Sequence, residues 1–213
     1  MGIRDGLGDL MTKCREHAEY LNGNISKTEG DPRGTCFWSM YNRVKITEEI
    51  ISVYDRRWGP DIISKLDESG VSEIYDRIVT VTRDMYVDIV SAVEKAVKDC
   101  LKMYPSSKVK ENALDRNNRL YLRNILMSSC ESGVIDKKTM KTWDDLLMIR
   151  NLAVHENSVS DRTMILKFGD TEINMRAGRM MKGPLGTYVI LTDLVTDMFF
   201  DWLTAMHGMF SQS

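Results

Sequence analysis

The sequence predicts an all-α fold, a helical bundle with a small β-hairpin inserted before the last helix. Three observations carry that expectation. Apolar residues recur at threes and fours, most clearly at Ile74, Ile78, Val81, Met85, Ile89, Val93, Val97 and Leu101, which is the spacing of one helical face. Only 4 of the 213 residues are proline, so few positions interrupt a helix. One short stretch, residues 164–175, changes period and alternates about Gly169-Asp170, as a hairpin does.

Taken in order, residues 5–21 form the first expected helix, with Leu7, Leu10, Met11, Cys14 and Ala18 near one stripe. Residues 22–35 are polar and hold Gly23, Gly30, Asp31-Pro32 and Gly34, a loop composition. A second helix is expected over 39–57, with a face made by Ile46, Ile50, Val53 and Tyr54, and Trp58-Gly59-Pro60 breaks it. A short helix, 61–66, ends near Gly70. The long periodic segment spans 71–104 and closes at Pro105-Ser106-Ser107. Its β-branched residues lower helix propensity, which a packed stripe overrides. A polar linker runs to Asn117, and 118–130 reads as a helix bounded by Ser132-Gly133. Asp136 caps a further helix over 137–156, which Asn157, Ser158, Ser160 and Asp161 end. In the hairpin, Ile165, Leu166 and Phe168 precede the turn and Ile173 and Met175 follow it. Its Gly-Asp order reverses the favoured Asp-Gly. Residues 176–186 are a basic loop, and the last helix covers 187–209. Residues 1–70 are expected to be an N-terminal helical extension packed on a main domain of residues 71–213.

Composition narrows the function. With 29 basic and 31 acidic residues the net charge is −2, which excludes a protein that coats polyanions but leaves room for a local basic cluster. The 15 methionines suit an irregular helical core. Cys14, Cys36, Cys100 and Cys130 are widely spaced, without a CxxC pair. They offer no structural zinc site, and reduced thiols fit a cytoplasmic chain. No signal-peptide pattern stands behind Met1, and Gly2 lacks the Ser or Thr context of a myristoylated glycine. The most apolar stretch, 188–209, carries Asp193, Asp197, Asp201 and His207, so it reads as a buried or amphipathic helix, not a membrane span. His17, on a polar helix side, reads as a surface residue. Trp38, Trp58 and Trp202 read as core or interface anchors.

The chemistry gathers at Arg150, Asn151 and His155. Asn151 and His155 are four residues apart on one helical face. Arg150 lies beside Asn151, and its long arm can reach toward the imidazole. Arginine presents a charged planar fork to phosphate oxygens, histidine moves a proton near neutral pH, and asparagine can orient either the imidazole or a ribose hydroxyl. No cofactor and no metal are required, and the adjacent Asp144 and Asp145 diverge around the helix and make no metal pair. The plainer reading is a polar helix end where His155 faces the C-terminal dipole.

The spacing Arg150-Asn151-x-x-x-His155, with Trp143 and the Leu146-Leu147 pair upstream, resembles the signature of the HEPN superfamily of small helical domains. The layout of long helices, a motif helix, a short insert and a terminal helix over 71–209 is also similar. The resemblance implies a homodimer in which two motif helices face one another, and a metal-independent endoribonuclease with Arg150, Asn151 and His155 as its catalytic residues. It implies attack by the ribose 2′-hydroxyl, leaving 2′,3′-cyclic phosphate ends, in a toxin–antitoxin or antiviral defence setting with an antitoxin or other regulatory protein as partner. The same resemblance leaves open a non-catalytic helical module that binds a nucleotide or a protein. Three basic clusters are candidate RNA contacts: Lys108, Lys110, Arg116, Arg119 and Arg123; Lys137, Lys138 and Lys141; and Arg176, Arg179 and Lys182.

Overall fold

The computed structural model describes residues 2–26, 30–104, 107–155, 159–181 and 183–210. Among them are eight helices: α1 (Ile3–Asn24), α2 (Pro32–Arg57), α3 (Pro60–Ile63), α4 (Glu68–Leu101), α5 (Lys108–Ala113), α6 (Leu122–Glu131), α7 (Lys137–His155) and α8 (Thr187–Phe210). Between α7 and α8 lie β1 (Val159–Ser160), β2 (Met164–Phe168), β3 (Thr171–Met175) and β4 (Arg179–Met180). The all-α fold with a small hairpin before the last helix is therefore what the chain adopts. No helix among the described residues is long and apolar enough to cross a membrane.

The first two helices start earlier than periodicity predicts. Pro32 occupies the first turn of α2 and Asp31 caps it, accepting from Arg33 N at 2.9 Å. Proline has no amide hydrogen to lose there and its φ is already helical. The Asp-Pro pair read as loop is thus a helix start. Gly34 lets α2 approach α1, because a Cβ there would overlap the Asn22 side chain. Part of the expected loop, residues 27–29, lies outside the described residues.

The face of α2 is a second correction. Its buried side is Phe37, Met40, Val44, Thr47 and Ile51. Ile46 is 58% exposed, and Val53, Ile50 and Trp38 are also exposed. Only Tyr54 of the expected face packs against the core. Two apolar stripes at helical spacing run along α2, and α1 and α4 cover only one of them.

Helix α4 is the spine. At 34 residues it is ~50 Å long, and it packs on α2, α7 and α8. Its first turns, from Glu68 to Val81, carry no fully buried side chain, and the buried stripe runs from Thr82 to Leu101. The expected boundary at residue 70 falls within its first turn. One continuous core joins α1 and α2 to α4, α7 and α8 through Leu10, Phe37, Tyr86, Trp143, Phe199 and Trp202, among others. The Trp202 indole N–H donates to Ser129 Oγ at 2.9 Å, tying α8 to α6.

His17 belongs to this packing and not to the surface. Its ring stacks on Phe200 at 3.9 Å and meets Phe37 edge-on, with Asp197 Oδ1 at 3.3 Å from Nε2. Also buried, one helical turn from Phe37 on α2, Arg33 forks onto Asp31 with contacts of 2.6 to 3.2 Å and donates to Tyr104 Oη at 2.9 Å. Cys14, Cys36 and Cys100 are buried free thiols, while Cys130 is half-buried. Burial pushes the Cys14 and Cys36 thiols up to about 12 and raises Cys100 as well.

The hairpin pairs Met164 with Met175 through Phe168 with Thr171. Only its first central residue, Gly169, has a positive φ, at 59°. That is the pattern of a type II′ turn, which takes glycine first and explains the Gly-Asp order. Leu166, Phe168, Ile173 and Met175 face inward, while Ile165 faces out.

Candidate functional site

Helix α7 carries the candidate residues, and its start is set by Asp136. The Asp136 carboxylate accepts from Thr139 N at 2.7 Å. That backbone hydrogen bond to the charged form holds its pKa below the ordinary carboxylate value. The described part of α7 runs to His155; Glu156, Asn157 and Ser158, expected at its end, lie outside the described residues. Met140, Trp143, Leu146, Ile149, Leu152 and Ala153 form its buried side. Tyr86 of α4, fully buried, donates its hydroxyl to the Leu146 carbonyl at 2.7 Å. This bond docks α7 on α4 one turn before Arg150.

Arg150 is half-buried, with Asn151 and His155 exposed. The guanidinium does not turn toward the imidazole. Its Nη1 donates to Asn151 Oδ1 at 3.2 Å and its Nη2 to Ser91 Oγ of α4 at 3.3 Å. No carboxylate pairs with Arg150 among the described residues. Asn151 and His155 do share a face, but Arg150 and His155 diverge by roughly 140° around the α7 axis. A single chain therefore offers an exposed amide and imidazole on one face of the helix and a fixed cation, hydrogen-bonded to that amide, on another flank.

The expected basic cluster at the start of α7 does not surround this motif. Lys137 and Lys138 stand in the first turn of α7, roughly 25 Å along its axis from His155. Lys141 pairs with Asp145 at 2.8 Å, and Arg123 with Asp144 at 2.7 Å. These pairs also account for the two adjacent aspartates. Lys108 and Lys110 lie on α5, a helix within the stretch expected to be a polar linker. Arg176 is exposed after β3, Arg179 sits in β4 opposite Ser160, and Lys182 lies outside the described residues. Arg116 is exposed on the turn between α5 and α6.

Arg119 is different. It lines a groove of about 540 Å³ with Lys95, Lys98, Lys102, Leu120 and Tyr121. The three lysines were missed because they lie off the apolar stripe of the long helix and read as its solvated side; their i, i+3, i+7 spacing at its C-terminal end was the available signal. A second cavity, about 560 Å³, lies between α4 and the segment leading into α8, against Tyr75, Asp76, Arg83, Met181, Pro184 and Tyr188. Among the described residues that line it, none is a predicted site residue. Among the described residues, no group of three His, Cys, Asp or Glu side chains is arranged to hold a metal ion.

Compared with family models, with curated proteins and with solved structures, the chain matches none.

Proposed function

We propose that the protein is a metal-independent endoribonuclease of HEPN type, acting through Arg150, Asn151 and His155. The observation that carries the reading is the state of Arg150. Its guanidinium is anchored by two neutral partners, Ser91 and Asn151, and neutralised by no carboxylate among the described residues. A cation held in place without a counter-charge is a receptor for an anion. Four residues beyond Asn151, exposed His155 supplies an imidazole that can pass a proton.

In this reading His155 takes the proton from a ribose 2′-hydroxyl, whose oxygen attacks the adjacent phosphorus. The bond from phosphorus to the 5′-oxygen breaks, and that oxygen leaves with a proton. The products are a 2′,3′-cyclic phosphate and a 5′-hydroxyl. Arg150 stabilises the charge that gathers on the non-bridging oxygens. DNA lacks the nucleophile and is not cut. The roughly 140° between Arg150 and His155 favours a homodimer, because a second copy across the cleft supplies the group that one chain turns away. A cytoplasmic role in defence or in a toxin–antitoxin pair accompanies the reading.

The test is cleavage of a mixed RNA panel in EDTA by wild type and His155→Ala, with the ends analysed for cyclic phosphate. Cleavage by wild type alone, leaving cyclic phosphate, supports the proposal. Intact RNA after incubation with folded, dimeric wild type overturns it in favour of a binding module.

A further inference from the structure

We infer that the groove between the C-terminal third of α4 and the α5–α6 turn binds single-stranded RNA, holding its phosphates on Lys95, Lys98, Lys102 and Arg119 and stacking a base on Tyr121. The inference rests on the ribonuclease reading only for where the strand leads; its evidence is separate.

The first argument is position. Ser91, Lys95, Lys98 and Lys102 lie within roughly 40° of one line along α4. Ser91 is the residue that receives the Arg150 guanidinium. From that contact to Lys102 the line runs roughly 16 Å. The lysines therefore form a track that begins one helical turn beyond Arg150 and continues away from it.

The second argument is construction. A run of lysines on a helix is ordinarily a solvated face, but these, with Asp99, border a shallow open groove whose other side is the α5–α6 turn. That turn is closed. The Asp115 carboxylate accepts from Asn117 N at 2.8 Å and Arg119 N at 2.7 Å, and Leu114 bridges to Leu120. Asn118 takes a left-handed φ of 57° there, a conformation asparagine tolerates. The turn fixes Arg119 opposite the lysines.

The third argument is chemistry. Lys98 pairs with Glu94 at 2.6 Å and Lys102 with Asp99 at 2.6 Å. Lys95 and Arg119 have no ion pair among the described residues. The groove is thus net positive on a chain whose net charge is −2. Tyr121 is 45% exposed, and the Lys98 ammonium lies 6.0 Å from its ring centre. A cationic track beside an open aromatic ring is the combination that binds single strands without reading their sequence. A duplex presents no free base face to that ring.

The experiment is fluorescence anisotropy with a labelled, unstructured RNA oligonucleotide in EDTA, on the His155→Ala background so that the probe stays intact. Lys95→Ala/Lys102→Ala should weaken binding tenfold or more. It should also reduce the slope of log affinity against log salt by about 1.4, at ~0.7 per phosphate contact on a single strand. Tyr121→Ala should cost at least fivefold, with little change in salt slope. Lys45→Ala/Lys65→Ala removes the same charge from α2 and the turn after α3, both exposed and outside every candidate site, and should bind like the parent. Equal losses in the two lysine pairs, or no RNA binding by the parent, would overturn the groove. Groove binding by a protein that yields no cyclic phosphate in the cleavage assay would refute the ribonuclease reading and support the groove. Cleavage with groove variants at full affinity would do the reverse.

Discussion

The buried pair Asp31–Arg33 gives the sharpest test of what holds the bundle's ends together. Asp31 caps α2 with one oxygen and receives the Arg33 fork with both, and the two side chains are 1% and 3% exposed. Asp31→Asn keeps an acceptor for the cap but removes the charge. The guanidinium is then left buried without its carboxylate, a change that costs ~3–5 kcal/mol. With a slope near ~2 kcal/mol per molar urea, that loss moves the unfolding midpoint down by roughly 1.5–2.5 M. Adding Arg33→Met should recover much of the loss. The stranded charge is gone, the methionine refills the volume, and the remaining deficit is chiefly the hydrogen bond to Tyr104, ~1 kcal/mol. The double variant is therefore expected to be more stable than Asp31→Asn alone, in urea melts followed by circular dichroism. A double variant at the sum of the two single losses would refute the reasoning, and so would an Asp31→Asn variant within ~1 kcal/mol of wild type.

Three further outcomes are expected. If the proposed ribonuclease reading holds, Ser91→Ala, which removes one of the two anchors on Arg150, should lower kcat/KM for RNA cleavage about five- to tenfold, the value of one hydrogen bond of ~1–1.5 kcal/mol, while thermal stability stays near wild type. Ile51→Ala should destabilise by ~2–5 kcal/mol as a core truncation, whereas Ile46→Ala should stay within ~0.5 kcal/mol as a surface change; urea midpoints for the pair test which stripe of α2 is inward. Lys13 bridges Asp193 and Asp197 at 2.6 and 2.7 Å. Burial opposes charge on both Lys13 and Asp197. Even so, Asp193 and Asp197 raise the lysine above its ordinary 10.5, and His17 and Lys13 lower Asp197 below its ordinary 3.8. The Asp197 contribution is present above its unfolded pKa and lost as pH falls through the folded value. The Lys13 contribution is present below 10.5 and lost as pH rises through its folded value. Stability of wild type should thus fall at both extremes, and Lys13→Met should be less stable at neutral pH with both arms flattened.

Much of this architecture could be read from the chain because its strongest signals are local. The stripe from Met85 to Leu101, the Asp136 cap and the alternation around Gly169-Asp170 each need only neighbours in sequence, and all three are in place. What could not be read depends on partners far away. Ile46 and Ile50 carry the same periodic signal as Val44 and Ile51, and only the position of α1 and α4 decides which stripe is covered. His17 looked like a surface residue because Phe200 and Asp197 reach it from α8. Helix α5 is six residues long, too short for periodicity to register. At the candidate site, Arg150, Asn151 and His155 stood out by residue type and spacing. The Ser91 anchor did not, since nothing in a serine on a helix says which arginine will meet it.

The distribution of cysteines has a consequence for following how the chain comes apart. Cys14, Cys36 and Cys100 sit one each in α1, α2 and α4, and all three are buried. A thiol with its pKa near 12, as for Cys14 and Cys36, is almost wholly protonated at neutral pH and shielded from reagents. It reacts only while its helix is open. Half-buried Cys130 of α6 reacts first and sets the baseline rate. Alkylation kinetics followed cysteine by cysteine would then report the opening free energy of three helices separately. If α1 and α2 open at a lower cost than α4, the N-terminal pair is a foldon that detaches before the spine yields; a single shared rate would make the whole bundle one cooperative unit.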